Sequence, residues 1–474
     1  MSLTKFVGLL AGSTLTLTGV SYGAVEANDE TAAQISELKA EIAALKAQQG
    51  EQWLTEQRAD AIRGVVQDVL ADSSTRSSFQ QAGATAGYNN GFFLSSADGN
   101  YTLKINALEQ VRFVWNNTYQ TTGNGNDANQ WGFENRRTQA FFSGNVVDPS
   151  WKYLVGMAYD SQTDPYVQSA NAFNLLYAQV SKSFGNGFSV VVGQQNVPWT
   201  VESQLFNAGS TQMGDYSIFE YAFGAGQQVG ALAMLEQDMW RVKGGWFNAV
   251  QNSVTTGATA GGVNTVQGWN NDNNQSVAIA ARAEYKVAGT WEQFSKESSF
   301  KGEEFGLLVG GGVIWQNGRA QNNTATTGTY GANPIGLTAD ARANFGGFNL
   351  IGQFVWQDGY SANGSVVTDS VYGINLQGGA FLTDDLELFG AWCYADTTST
   401  QNFLQIGSNW YFAKNNLKAT IMGIIPLNGS AANDPSLRGY AGGVGLSNEN
   451  FGTAPNQTGA DNNFSLVCQL QVMF

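Results

Sequence analysis

Histidine is absent from the 474-residue sequence. That removes Ser-His-Asp and Cys-His nucleophilic catalysis, and every histidine-ligated metal site. An outer-membrane lipase chemistry is disfavoured on the same ground. No catalytic, cofactor-binding or metal-ligating residue is assigned, and the reading is of a non-enzyme with no cofactor. Cysteine is nearly absent too. Cys393 and Cys468 fall several strands apart, one in the inward and one in the outward phase of its strand, which argues against a disulfide. Charge is scarce at 13%, with 23 Lys and Arg against 38 Asp and Glu. The net charge of −15 argues against nucleic acid or an anionic lipid surface as partner. Long apolar runs are missing, and mean hydropathy is −0.20, which excludes a bundle of membrane-spanning helices.

Glycine and aromatics are abundant instead: 57 glycines, and 12% Phe, Trp and Tyr. Low charge with these residues and many Asn and Gln suits a β-barrel that has a wet interior. The last stretch carries the signature most clearly. Phe464, Leu466, Cys468, Leu470, Val472 and Phe474 alternate with Ser465, Val467, Gln469, Gln471 and Met473. Period-two alternation gives one oily and one mixed face to an extended strand. In water such a free strand end is an aggregation hazard; in a bilayer it is a wall stave ending on an interfacial aromatic.

The N-terminus reads differently. Residues 1–23 form a secretory signal, with Lys5, an apolar core from Phe6 through Val20, and small residues Ser21 and Gly23 before Ala24. Val25 and Ala27 offer a second cleavage site. Residues 24–72 are expected to be a periplasmic coiled-coil or helical segment. Ile35, Leu38, Ile42 and Leu45 occupy a and d positions, with Glu41 and Lys46 able to pair between helices. A single amphipathic helix docking on the barrel is the alternative. Residues 73–90, small and polar, are expected to be a linker before a barrel over 91–474.

From Gly91 the period becomes two. Tyr101, Leu103, Ile105, Ala107, Val111, Phe113 and Trp115 alternate with Thr102, Lys104, Asn106, Gln110, Arg112 and Asn116, Glu109 being the exception on the oily face. The same grammar recurs at 151–160, 276–287 and 335–345. The stretches 131–145 and 173–184 have ambiguous phase. The tally is about sixteen antiparallel strands, a size that leaves an aqueous channel. Connections alternate short, as at Asp148–Pro149–Ser150 and Gly346–Gly347, and long, as at Val197 to Gln228. Short periplasmic turns, long outer loops and an even strand count put both barrel ends in the periplasm. Ala288 to Glu304 is long where a short turn is expected. Outward aromatics, among them Trp115, Trp131, Trp151, Trp315, Trp356, Trp410 and Phe474, fall near strand ends as two interfacial girdles require. The fold class is therefore an all-β transmembrane barrel in the lipid of the bacterial outer membrane, preceded by a short helix.

Inward charge should set the field of such a pore, because a low-dielectric wall focuses it. The inward bases are Lys104, Arg112, Lys152, Arg241, Lys243, Arg282, Lys286, Arg342 and Lys418, and the inward acids are Asp160, Glu284, Asp340, Glu387 and Asp396. Glu284 beside Arg282 is an expected pair. The alternative is that these charges only keep the lumen wet. Gly310 to Gly312 precede no P-loop lysine and read as easing curvature or close packing.

Three short motifs resemble the phosphate-selective porin O and P family. Arg136–Arg137 with Gly144 before the Asp148–Pro149 turn is similar to its paired-arginine strand. Gly193–Gln194–Gln195–Asn196–Val197–Pro198–Trp199, followed by Glu202, is similar to its Gly-Gln-x-x-x-Pro-aromatic motif. Trp246–Phe247–Asn248 resembles its aromatic–Asn strand ending. These cover the first half of the barrel. The resemblance implies a homotrimer of sixteen-stranded barrels, loops folded inward as a constriction, and phosphate bound by basic residues, with Arg136 in the lining. Gln139 departs from the pattern, standing where a further base often falls. The loop Val197 to Gln228 carries Glu202, Asp215 and Glu220 and no Lys or Arg. A throat formed by it would be acidic and repel phosphate.

The function so read is an outer-membrane porin passing small hydrophilic solutes by passive diffusion. The alternatives are an anion or phosphate channel, and an envelope tether whose coiled coil binds cell wall or a periplasmic partner. A trimeric adhesin anchor is disfavoured, because the coiled coil is short and each chain carries a whole barrel.

Overall fold

The computed structural model describes residues 85–119, 127–161, 166–167, 171–248, 250, 277–317, 334–359, 361–362, 365–366, 370–397, 400–427 and 464–474, with helical positions 36–37, 39–41 and 43–44. Two compact units divide at Ala82/Gly83. In the first, the described helical positions are solvent-exposed. The a and d residues Ile35, Leu38, Ile42 and Leu45 lie outside the described residues, as does the expected signal.

The second unit is the barrel. Strand pairing begins with a hairpin of β1 (Thr85–Tyr88), inside the stretch expected as a linker, and β2 (Phe92–Ser95), just past it. There follow β3 (Thr102–Tyr119), β4 (Asp127–Val146), β5 (Asp148–Asp160), β6 (Ala172–Gly185), β7 (Phe188–Asn196), β8 (Gln227–Glu236), β9 (Trp240–Phe247), β10 (Val277–Ala288), β11 (Gly306–Asn317), β12 (Ile335–Asn344) and β13 (Phe348–Asp358). A two-residue ribbon, β14 (Ser361–Ala362) with β15 (Ser365–Val366), stands apart from the wall. The wall resumes with β16 (Val371–Phe381), β17 (Leu386–Asp396), β18 (Thr400–Tyr411), β19 (Leu417–Pro426) and β20 (Phe464–Met473). Each wall strand pairs antiparallel with the next, and β20 pairs with β3, closing sixteen strands. Closure leaves the wall no free edge.

Alternation fixes which side chains meet lipid. In β12, Ile335, Leu337, Ala339 and Ala341 are exposed, while Gly336, Thr338, Asp340, Arg342 and Asn344 are buried. One face is apolar and uncovered, the other polar and enclosed, which inverts the arrangement of a protein folded in water. A one-residue slip would exchange the two sets, so register is strongly specified. Trp131, Trp151, Trp246, Trp315 and Trp410 are exposed on the outer face near strand ends. Outward rings also pair between neighbouring strands, as Trp115 does with Phe464 at 5.3 Å and Phe113 with Phe133 at 5.2 Å between centroids. Cys393 faces in, Cys468 faces out, and both are free thiols.

The two strands of ambiguous phase each contain a β-bulge. In β3–β4 the pairing passes from Gln110↔Arg137 to Val111↔Asn135, leaving Arg136 as the extra residue. Trp131 and Phe133 therefore face lipid before the bulge, Thr138 after it, and Arg136 and Arg137 are both buried. A bulge changes phase by one residue, so two consecutive side chains share a face. In β5–β6 the pairing skips Leu176, and Leu176 and Tyr177 are both buried.

Candidate functional site: a lumen filled from both rims

One rim of the barrel carries short turns. Gly185–Asn186–Gly187 turns in the left-handed region, with φ of 87°, 51° and 77°. The loop 197–226 leaves the opposite rim between β7 and β8 and folds into the lumen. Within β7, a few residues before the loop, Gly193 has φ 123°, and a Cβ there would sit 2.1 Å from Ala178 O, so only glycine fits. Two 3-10 turns, Glu202–Gln204 and Ala208–Ser210, precede a six-residue helix α1 (Ile218–Phe223), which Ser217 caps by accepting from Glu220 N–H at 3.1 Å.

An apolar patch of the inner wall seats this loop. Val197, Trp199, Met213, Ile218, Phe219 and Phe223 pack in one cluster with inward residues such as Ile314, Val355, Val371, Phe389, Met422 and Val467. Trp199 is fully buried, and its Nε1 donates to Phe223 O at 3.0 Å. Its ring lies against Gly312 and Gly336, where added Cβ atoms would meet it at 3.5 and 3.1 Å. A Cβ on Gly310 would come within 2.5 Å of the Arg282 guanidinium. The glycine run thus makes room for the Trp199 indole and for an ion pair. The apolar patch was not foreseen from composition, because alternation alone marks those positions only as inward.

The three loop acids do not line an open throat. Asp215 is buried and faces the wall, 3.0 Å from Arg112 Nη1, 2.9 Å from Arg136 Nε and 2.6 Å from Arg137 Nη2. Burial alone would raise its carboxyl pKa, but Arg136, Arg137 and Arg112 override this and hold it well below the usual range. Arg112 also pairs with Glu134, and Arg137 lies 3.9 Å from Asp160, so among the described residues three guanidiniums stand against three carboxylates. Glu202 is buried and accepts from Ser217 N at 2.8 Å and Ser217 Oγ at 2.6 Å. Burial, with Glu297 and Glu220 nearby, pushes its pKa well up. Glu220 is buried and accepts from Tyr166 OH at 2.7 Å. The expected acidic throat is corrected accordingly: two acids are spent in packing the loop, and the third is neutralised by the wall.

Of the other sequence-assigned charges, Arg282 bridges Asp340 at 2.8 Å and Glu284 at 3.2 Å, and donates to Trp199 O at 3.0 Å. Arg241 pairs with Glu284 at 2.6 Å and Glu236 at 3.2 Å. Lys243 donates to Gln204 Oε1 at 2.6 Å, and Lys418, fully buried, to Thr211 O at 2.6 Å. Lys286 reaches Asp238 at 3.5 Å, on the turn rim. Lys104 is half-buried and Lys152 exposed, near the same rim and away from the loop. Asp396 is a correction. It shares the outward phase of β17 with Trp392 and Tyr394, since the inward phase holds Glu387, Cys393 and Ala395.

The long turn-side connection 289–305 also enters the lumen. Gln293, Phe294, Glu297, Ser298, Ser299 and Phe300 are all buried. Arg342 donates to Phe294 O at 2.7 Å and also to Lys296 O. The Phe300 ring meets Phe381 at 5.4 Å in a tilted contact and Tyr411 edge-on at 5.0 Å between centroids. Glu387 accepts from Tyr411 OH at 2.6 Å, Asn409 Nδ2 at 2.9 Å, Gln212 Nε2 at 2.6 Å and Ser298 Oγ at 3.2 Å. Sequence reasoning missed Arg137, Gln212, Glu297 and Tyr411 as site residues. Two adjacent arginines in a strand were the available signal for the bulge. The over-long turn was the signal for the second infold.

No protein-family model matches the sequence, and no curated protein matches it. Solved structures similar to the barrel include OmpF of Salmonella typhi in complex with daunomycin, at 11% identity and TM-score 0.48, covering 82% of this chain and 100% of that one. An anion-selective porin from Comamonas acidovorans is 14% identical with TM-score 0.47, covering 78% and 99%. The outer membrane channel DcaP of Acinetobacter baumannii is 9% identical with TM-score 0.46, covering 82% and 100%.

Proposed function

We propose that this chain is an outer-membrane porin that passes small hydrophilic solutes and ions passively through a lumen narrowed by loop 197–226. The observation that carries the reading is the two-faced wall. Lipid meets an apolar surface, while charged and amide side chains such as Arg112, Arg282, Asp340 and Gln353 are held inside. A barrel serving only as an anchor has no use for an interior polarised in this way. The long-loop rim is outward, the short-turn rim periplasmic, and the N-terminal helical segment lies in the periplasm. The expected assembly is a homotrimer, as the motif resemblance implies. A phosphate preference draws no support from the paired arginines, because among the described residues Asp215, Glu134 and Asp160 match Arg112, Arg136 and Arg137 charge for charge.

The test is the reversal potential of purified protein in a planar bilayer under a potassium chloride gradient. Weak selectivity of either sign, without phosphate block, agrees with the proposal. Strong anion selectivity blocked by phosphate would favour the phosphate channel instead. Absence of conductance would move the tether to the front.

A further inference from the structure

We infer that the periplasmic turn 289–305 is a second constriction of the pore, latched to the outer loop through Glu297. This rests on the porin reading above and goes beyond it.

A turn of fifteen or more residues on the short-turn rim needs a reason, because the neighbouring hairpins close in a few. If it were only a surface loop, its middle would be wet. Instead Glu297, Ser298 and Ser299 are almost wholly enclosed. The chain leaves at β10 and β11 yet touches Tyr411 of β18, five strands on from β11 around the wall. It therefore crosses the lumen rather than running along the rim.

The outer loop crosses from the other side. Gln471 of β20 donates to Gly209 O at 3.0 Å, and Asn409 of β18 donates to Gln212 O at 2.7 Å. The two infolds meet at the stretch Ser210–Gln212. Glu297 N–H donates to Ser210 O at 3.1 Å, and Gln212 N–H donates back to Glu297 Oε2 at 2.7 Å. Gln377 Nε2 donates to the same carboxylate oxygen at 2.9 Å, which ties the junction to β16. Gln212 in turn reaches Asn349 Oδ1 at 2.8 Å and Glu387 Oε1 at 2.6 Å. No salt bridge joins the two infolds among the described residues. Two of the junction's hydrogen bonds end on the Glu297 carboxylate, so a single side-chain change there weakens it without leaving an unpaired guanidinium. A solute crossing this level must pass between the joined segments and the remaining wall, so the turn narrows the path from below as the loop does from above.

The test uses the full chain. One variant replaces residues 290–304 by a two-residue Asn-Gly turn, which suits an antiparallel hairpin. A second is Glu297→Ala. Folding is checked by heat-modifiable migration in detergent gels, and single-channel conductance is read in planar bilayers. The inference expects conductance of the shortened barrel to rise about twofold or more, with Glu297→Ala raising it less or increasing opening frequency. A wild type that is silent while the shortened barrel conducts also supports it, since the turn would then be a plug. Conductance of the folded shortened barrel equal to that of an active wild type overturns the inference and leaves the porin reading intact. Silence in both overturns the two together. If the shortened barrel does not fold, an active Glu297→Ala barrel decides, and wild-type behaviour there overturns the latch.

Discussion

Two of the places where carboxylates tie the lumen-filling segments to the wall are built from different chemistry. At β3 and β4, Asp215 meets three guanidiniums, all almost fully buried. At β16 to β18, Glu297 and Glu387 meet amides, hydroxyls and backbone N–H groups instead. Both arrangements satisfy buried carboxylates. They differ in what happens when one partner goes. A charge cluster stripped of Asp215 loses a negative charge from among three cations, whereas losing an amide partner of the second anchor removes hydrogen bonds and no charge. The first anchor is stiff and expensive to break; the second can be exchanged bond by bond.

Asp215→Asn should break this contrast most severely. Removing one partner of a buried ion pair costs about 3–5 kcal/mol, because the other is left uncompensated. The folded form should lose its resistance to unboiled detergent at a lower temperature than wild type. The reversal potential under a potassium chloride gradient should move toward anion selectivity, since the cluster of Arg112, Arg136 and Arg137 would lose one negative charge. An unchanged potential would mean the cluster lies outside the conducting path.

Acid should sharpen the contrast with a smaller effect. Burial raises the Glu297 pKa above the ordinary 4.5. The groups facing it across the packed elements are Gln212, Gln377, Glu202, Arg342 and Lys418. Its folded form binds the proton more tightly than the unfolded chain does, so the infold gains stability as pH falls from above the raised value toward 4.5. Asp215 is shifted the other way, so its contribution persists through that window and fades only below 3.8. Mild acidification should therefore lower single-channel conductance through Glu297 of the turn together with Glu202 of the outer loop, and the effect should shrink in Glu297→Gln. Conductance that rises in acid would contradict this.

The smallest effect belongs to the rim. Asp238, almost wholly exposed, reaches Lys286 at 3.5 Å. Exposed pairs contribute about 0–1 kcal/mol, so Asp238→Ala should leave both the melting temperature and the reversal potential near wild type. A large shift would show that rim charge, not the two inner anchors, governs the field.

The wall was legible in the sequence because period two is a local signal. Residues 335–345 and 464–474 declare their faces without reference to any neighbour. The sixteen-strand count, the inward course of Arg112, Arg282 and Glu284, and the Arg282–Glu284 pair followed from it. What was hidden depends on partners distant in sequence. Arg136 and Arg137 share a face only because β3 tolerates a bulge opposite Val111. Glu202 and Asp215 looked equivalent, yet one meets a serine and the other three arginines. Asp396 was misassigned because its strand has no bulge, so its parity opposes that of Glu387. Such facts live in the packing.

The N-terminal hairpin bears on how the cylinder is assembled. One edge of β3 serves two strands: β2 covers Thr102 to Ile105, and β20 covers Leu108 to Asn117. Phe474 then exchanges hydrogen bonds with Ala107, and its ring meets Phe92 at 5.9 Å. If the last strand advanced along that edge by one pleat, its terminal residue would fall opposite Ile105, a place Phe92 already holds. The hairpin is thus an end stop for the closing seam. It fixes the stagger of the whole cylinder, and with it the tilt of every stave and the width of the bore.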